Sequence, residues 1–299
     1  MKAAITGARG FVGRHLTTHL RQQGDDVVAL DLDGAQPVDV TDAAAVRARI
    51  ASAAPDVVYH LAARTHVGES WDTADAVRAV NVDGTAHVLA ACAEAGVGRV
   101  LVVGSAEQYG RLDDPSLPVN ETAPLHPLSP YARSKADAEA LALDAARDGL
   151  GVVCVRAFNH TGPGQSPRFL VPAIAARIAR AEHERADEIA IGNVDPVRDY
   201  SDVRDVVRAY RLLVNDGEAG VVYNVCSGRG VSVAELARGL VTRATRALRL
   251  TVDPSLVRAT DVPVLVGDAT RLVTATGWEP EIALDRTLDD VLEDARAAL

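Results

Sequence analysis

The sequence predicts an α/β fold whose first half is a doubly wound parallel sheet, and three observations predict it. The chain opens on a strand-length apolar run, residues 2–6, that feeds straight into Gly7-Ala8-Arg9-Gly10-Phe11-Val12-Gly13 and then into a helical pattern with Leu16 and Leu20 on one face. Strand, glycine turn and helix in that order are the context a dinucleotide site requires. Strand-length apolar runs recur at residues 27–31, 56–60, 99–105 and 152–156, with helical stretches between them. After residue 156 the pattern changes to shorter elements and turn-rich segments, which sets the second half apart.

Composition bounds the function. A chain of 299 residues suits one large domain or one and a half, at ~100–200 residues per domain. Its 48% hydrophobic content is ample for a core without disulfides or metal. A formal charge of −10 argues against a general nucleic-acid or anionic-membrane surface. Cys92, Cys154 and Cys226 are odd in number, widely spaced and form no CxxC, so reduced thiols and a cytoplasmic location are expected. No signal-peptide pattern precedes the first strand, and no uncharged apolar run approaches the ~18 residues of a membrane span. His15 and His19 lie four apart on a helix. No further ligand cluster joins them, so no metal site is expected and both read as solvent-facing.

Each element then has a reason. Gly7 allows the tight turn, Gly10 lets backbone approach a pyrophosphate at the helix N-terminus, and Gly13 lets helix and strand pack closely. The second strand ends in Asp31, 18 residues past Gly13, near the ~20 expected for a carboxylate that holds the adenosine ribose hydroxyls. Such a carboxylate would repel a 2′-phosphate and favours NAD(H). Arg9, in the glycine loop, is able to pair with that phosphate, which keeps NADP(H) open. Asp39 and Val40, ahead of a short helix at Thr41-Asp42, are placed to touch the adenine or to form an ordinary loop. The third strand runs into Leu61-Ala62-Ala63, small enough to let backbone lie along a cofactor, and His60 reads as a packed strand-end histidine. A long helical stretch covers residues 72–95, and Asn81 inside it hints at a hydrogen-bonding duty.

The fourth strand ends at Ser105, followed by Ala106, Glu107, Gln108, Tyr109 and Gly110. Strand C-terminal ends line the ligand crevice of open α/β sheets. A 25-residue connection with prolines at 115, 118, 124, 127 and 130 follows, and loops that long are usually functional. Ser129 is a good N-cap, and Pro130 suits the first helical position. Tyr131 and Lys135 then share one helix face, four apart. A positive charge beside a phenol favours phenolate, so Lys135 is expected to lower the pKa of Tyr131. Further on come a turn-rich segment at residues 159–165, a helix over 169–181, a strand over 188–191, a helix after Asp202, a strand over 221–225, a capping box at Ser232 and Glu235, and a last helix from about Leu284.

With these pieces the chain resembles the extended short-chain dehydrogenase/reductases that act on nucleotide-sugars. Thr6-Gly7-x-x-Gly10-x-x-Gly13, His60-Leu61-Ala62-Ala63, Ser105 and Tyr131-x-x-x-Lys135 carry the resemblance. It implies a Rossmann core over residues 1–158 and a smaller C-terminal α/β substrate domain over 159–299, with residues of about 200–228 returning to the core. Homodimers through paired helices are usual there, which makes the helices from Asp72 and Pro130 candidates. Phe158 to Gln165, Ile191 to Asp195, Arg198-Asp199-Tyr200, Asp202 to Tyr210, Tyr223 to Gly228 and Asp261 to Asp268 are similar to the branch that reduces GDP-4-keto-6-deoxy-mannose. GDP-mannose 4,6-dehydratases form a sister branch.

The resemblance implies hydride transfer to the sugar's keto carbon, with Tyr131 as general acid, Ser105 on the developing alkoxide, Lys135 on the nicotinamide ribose and Asn81 in a proton relay. Cofactor contacts are expected from Gly7, Arg9, Gly10, Phe11, Val12, Gly13, Asp31, Asp39, Val40, Leu61, Ala62, Ala63, Asn81, Tyr131 and Lys135. Substrate contacts are expected from Ser105, Ala106, Glu107, Tyr131, Asn159, Arg168, Val171, Asn193 and Arg198, with an ion pair to Asp199 or Asp202 as the plain alternative for Arg198. A 4,6-dehydratase needs extra acid/base groups just after the serine, often Asp-Glu. Here the pair is Ala106-Glu107, so that lyase reading is weakened but stands, as does a 4-epimerase. A non-catalytic NAD-binding regulator would usually lack the Tyr or the Lys.

Overall fold

Alternating apolar strands and amphipathic helices build a six-stranded parallel sheet at the heart of the chain. The computed structural model describes residues 1–34, 36–111, 118–256 and 262–299; Pro115 and Asp261 lie outside the described residues. The elements run β1 Lys2–Thr6, α1 Phe11–Gln22, β2 Asp26–Leu30, α2 Ala43–Ala53, β3 Val57–His60, α3 Ala74–Arg78, α4 Gly84–Ala95, β4 Arg99–Ser105, α5 Pro130–Arg147 and β5 Val152–Ala157. They continue as β6 Asn159–Thr161, α6 Leu170–Glu184, β7 Glu188–Ile191, β8 Val197–Asp202, α7 Val203–Asp216, β9 Val222–Val225, β10 Gly230–Ser232, α8 Val233–Val241, β11 Arg249–Val252, β12 Val264–Leu265, α9 Thr270–Thr276 and α10 Leu284–Ala297.

The main sheet has the order β2-β1-β3-β4-β5-β9, parallel throughout. Order reverses direction at β1, so the crevice beyond its C-terminal edge is the switch point where such sheets take ligands. Both faces are covered, as parallel sheets demand. On one side Leu16 and Leu20 of α1 pack with Val206, Tyr210 and Leu213 of α7. On the other, Val46 and Ile50 of α2 pack with Val88 and Cys92 of α4 and Ala142 of α5. A separate core joins α6, α8 and α10 through Ile174, Ile178, Leu236, Leu240, Leu288 and Leu292.

Several local expectations differ from what the chain does. The stretch read as one helix over 72–95 is α3 and α4 joined by a π-helical turn, Ala79–Asp83, that contains Asn81. The second-strand helix starts at Ala43, with Asp42 as its cap accepting from the N–H groups of Ala44 and Ala45. The turn-rich segment after residue 158 contains β6, which pairs in parallel with β8. His15 and His19 do not face solvent as read. His15 Nε2 lies 2.9 Å from the Pro163 carbonyl, and His19 is half-buried with its pKa lowered by burial and by Arg211. Their helix face is covered by α7 and by the turn at Pro163, partners that helical spacing alone does not reveal. The Ser232/Glu235 capping box forms as read. Among the described residues, no helix is long and apolar enough to cross a membrane.

Candidate active site

The turn after β1 is shaped by what it excludes. Gly7 has φ +68°, and a Cβ there would sit 2.9 Å from the Ala62 amide nitrogen. A Cβ on Gly13 would lie 2.2 Å from the Gly7 carbonyl oxygen, so only glycine lets α1 approach the turn this closely. Gly10 caps α1 and no side chain fills the cap. An uncapped helix start presents N–H donors and a positive dipole end to an anion. Phe11 and Val12 open that first turn, and Leu61, Ala62 and Ala63 run beside it, half-buried. These residues fit the pyrophosphate of a dinucleotide.

Asp31 stands at the end of β2. Its carboxylate accepts from the Arg9 N–H at 2.7 Å and the Leu32 N–H at 2.8 Å, which fixes its plane beside the glycine loop. The Arg9 guanidinium lies against Gly34, 3.0 Å from where a Cβ would be. An acid and an arginine therefore border the same edge of the crevice. Asp39 is exposed and accepts from both the N–H and the hydroxyl of Thr41. Val40 is buried against Gly84, and its carbonyl meets His87 Nδ1 at 2.9 Å.

The strand-end histidine is a proton-ordered link rather than a titrating group. Thr85 donates its hydroxyl to the Asn81 carbonyl at 2.6 Å. It therefore accepts from His60 Nε2–H at 3.0 Å, and His60 Nδ1 accepts the Thr6 hydroxyl at 2.7 Å. Thr6 Oγ1 in turn accepts from the N–H groups of Leu61 and Ala62. Burial pushes the His60 pKa down to about 3, so the ring stays neutral and holds the backbone along the cofactor edge. Asn81 is buried and its side-chain amide is fully engaged. Its Oδ1 accepts from the Arg64 N–H at 2.8 Å, and its Nδ2 donates to the Arg64 carbonyl and to Ser134 Oγ. The hydrogen-bonding duty read from its helical position is met by clamping the loop after β3 to α5.

Ser105, Tyr131 and Lys135 come together. Ser129 caps α5 by accepting from the Ala132 N–H at 3.1 Å, with Pro130 at the first position. This sets Tyr131 on the first turn, facing the end of β4. The Tyr131 phenol faces the Ser105 hydroxyl, and both residues are buried. Lys135 Nζ donates to the Val103 carbonyl at 2.8 Å, two residues before Ser105 on β4. Burial holds the Lys135 pKa down to about 8.

Contrary to the expectation from spacing, the Tyr131 phenol is not lowered by Lys135. Burial first, and then the Glu107 charge, raise it to about 12 against an opposing contribution from the Ser105 hydroxyl. The lysine's ammonium points at the Val103 backbone carbonyl, and desolvation of the phenolate governs the phenol's pKa. Glu107 is half-buried beside the phenol, and Ala106 is buried where a second acid would stand.

The second half supplies more scattered groups. Asn159 begins β6, opposite Tyr200 of β8. Arg198 is largely buried on β8 and donates to the Val197 carbonyl. Asp199 is turned to the backbone instead, accepting from the N–H groups of Ser227, Gly228 and Gly267. Asp202 is held by Arg204 and Thr287. Arg168 is exposed and ion-paired with Glu69 across from the loop after β3. Asn193 is half-buried and caps a turn through the Asp195 N–H. The Val171 side chain lies in the C-terminal core.

Two constellations were not singled out from the sequence. Arg156 is bidentate to Glu139 at 3.0 and 2.7 Å, and Glu139 also takes Gln108. Phe11 stacks on His160 with ring centroids 6.2 Å apart, joining α1 to the second half. Only the four-residue rhythm Tyr131, Lys135, Glu139 on α5 offered a hint of the first.

Comparison with known proteins agrees with this geometry. The model of the GDP-mannose 4,6 dehydratase family matches residues 4–291. The GDP-6-deoxy-D-mannose reductase of Pseudomonas aeruginosa is 35% identical over 297 residues, covering 97% of this chain and 95% of that protein. Among solved structures, RMD from Pseudomonas aeruginosa complexed with NADPH has a TM-score of 0.91 at 33% identity, with 100% of both chains covered. The UDP-glucose 4-epimerase of Thermus thermophilus in complex with NAD has a TM-score of 0.90 at 26% identity, again with 100% of both covered. A glycine turn built for a dinucleotide, a serine–tyrosine pair at the end of β4 and likeness along the whole length lead to one conclusion: the chain belongs to the GDP-mannose 4,6-dehydratase family, within the extended short-chain dehydrogenase/reductases.

Proposed function

We propose that this protein reduces the 4-keto group of a GDP-4-keto-6-deoxy sugar to the alcohol. The bound nicotinamide dinucleotide supplies the hydride. The chain's own residues do the rest. Tyr131 gives its proton to the keto oxygen as the carbon gains hydride, and the Ser105 hydroxyl supports the charge developing there. Lys135, anchored on Val103, holds the helix against β4. The observation that carries this reading is the placement of Tyr131: buried on the first turn of α5, against Ser105 at the end of β4, where burial favours the protonated phenol. A reductase needs that residue as an acid. The full-length likeness to the Pseudomonas reductase points the same way.

Asp31 favours NAD(H), with Arg9 on the same edge leaving NADP(H) as the second cofactor. Asn159, Arg168, Asn193 and Arg198 form the nucleotide-sugar side, with Arg198 on the diphosphate, where a planar guanidinium meets phosphate oxygens bidentately; the Val171 side chain, expected there, is buried in the C-terminal core instead. The protein acts as a cytoplasmic homodimer through the faces of α4 and α5.

Glu107 beside the phenol is the feature that favours a second reading, a 4,6-dehydratase. One assay separates them. Stoichiometric loss of the reduced cofactor's near-ultraviolet absorbance on adding GDP-4-keto-6-deoxy-mannose supports reduction. A keto sugar formed from GDP-mannose with no reductant added overturns it in favour of the lyase.

A further inference from the structure

We propose that Gln108 and Glu139 are positioning residues: together they form a buried strut that sets Ser105 in register with Tyr131. The inference rests on the reading above only in taking turnover as its main readout.

Tyr131, Lys135 and Glu139 succeed one another at four-residue intervals on α5 and so share a face. Ser105 sits on a different element, at the end of β4. Gln108 connects the two. Its Oε1 accepts from the Ser105 N–H at 2.7 Å, and its Nε2 donates to Glu139 Oε2 at 3.0 Å. Glu139 is fixed in turn by the two-point pairing with Arg156, whose Nη1 continues to the Tyr109 hydroxyl at 3.0 Å. The Ser105 hydroxyl accepts from the Glu107 N–H at 3.2 Å, so the serine is held at both its backbone and its side chain. The strand makes room for this. A Cβ on Gly104 would lie 2.5 Å from Gln108 Oε1 and 2.8 Å from the Val155 carbonyl oxygen.

The single 3₁₀ turn Ala106–Gln108, capped by Ser105, needs only that cap at its start. Here the capping amide reaches on to the helix that carries the acid. Gln108, Glu139 and Arg156 are all 5% exposed or less, so water does not replace a lost bond. The strut also has a polarity. An amide bridges a backbone N–H and a carboxylate, and each atom faces its complement.

That polarity gives the test. Gln108→Glu sets two carboxylates against each other. Glu139→Gln sets an amide N–H against either Gln108 Nε2 or the Arg156 guanidinium, donor to donor, and takes the carboxylate from Arg156. Each single variant is expected to lose on the order of tenfold or more in kcat, with KM and the NADPH dissociation constant within about twofold, because misplacement affects the transition state. Tyr109→Phe, which alters the network beyond the strut, should lower the melting temperature and leave kcat within about twofold.

Single variants with wild-type kcat overturn the proposal. So does a Tyr109→Phe variant that is equally slow. Should the charged variants fail to fold, Gln108→Met keeps the volume, and an unchanged kcat there overturns the proposal. A wild-type protein silent on every GDP-sugar sinks the activity reading instead. The strut is then judged by amide exchange at Ser105, which must speed up in Gln108→Met for the proposal to stand.

Discussion

At the ends of β1 and β2 the backbone itself shapes the site, whereas the groups across the crevice come one by one from β6, β8 and the loops around them. Around Gly7, Gly10 and Gly13, specificity lies in what is missing, since a single methyl at Gly13 would strike the Gly7 carbonyl. In the second half the proposed contacts are side chains such as Asn159, Arg198 and Asn193, each with different neighbours. The difference teaches that fold and binding are inseparable at the cofactor end and separable at the sugar end. Substitutions in the first region should disturb both; those in the second should disturb one.

Tyr131, where the regions meet, carries the largest expected effect. Tyr131→Phe should cut kcat by ~10²–10⁴-fold, the usual weight of a general acid, while NADPH still binds by fluorescence titration. Retained turnover would remove the phenol from its role. Gly13→Ala should cost ~1–3 kcal/mol in urea unfolding through overpacking and weaken cofactor binding with it. If binding fell with stability intact, the two would be separable after all.

His60 gives the cofactor end a pH signature. Its folded pKa, about 3, lies below the ordinary histidine value of 6.5, so the unfolded state binds the extra proton between those values. Stability is therefore fully present above pH 6.5 and is lost as pH falls toward 3, by about 1.4 kcal/mol per pH unit for one proton. Urea melts from about pH 7.5 to about pH 5 should show that slope in the wild type and a shallower one in His60→Asn. Arg198→Ala should raise KM for the GDP-sugar about tenfold and leave the NADPH dissociation constant unchanged, the separability expected of the sugar end. Arg9→Ala should bring the smallest change, a loss of NADPH affinity of about threefold with NADH affinity unaltered, since an exposed arginine–phosphate pair is screened by water.

Much of the cofactor end was legible because its signals are local. The glycine spacing, the acid closing β2, the Ser129 cap with Pro130 and the Tyr131/Lys135 spacing all act within a few residues. The parts that were not legible depend on distant partners. β6 hides in a turn-rich segment because the strand it pairs with, β8, lies some forty residues further along the chain. His15 is covered by a turn far along the chain, at Pro163. Lys135 was expected to make the Tyr131 phenol more acidic, and the reverse holds, because burial exists only once β4, α5 and the chain after Ser105 have assembled. Spacing places two charges on one face; it says nothing of the dielectric around them.

The most direct test follows the hydride itself. NADPH or NADH carrying deuterium on the transferred position is mixed with GDP-4-keto-6-deoxy-mannose, and the product is read by mass spectrometry and proton resonance. The account predicts one deuterium at carbon 4 of the sugar for each cofactor oxidised. An unlabelled product with the cofactor unconsumed would contradict it.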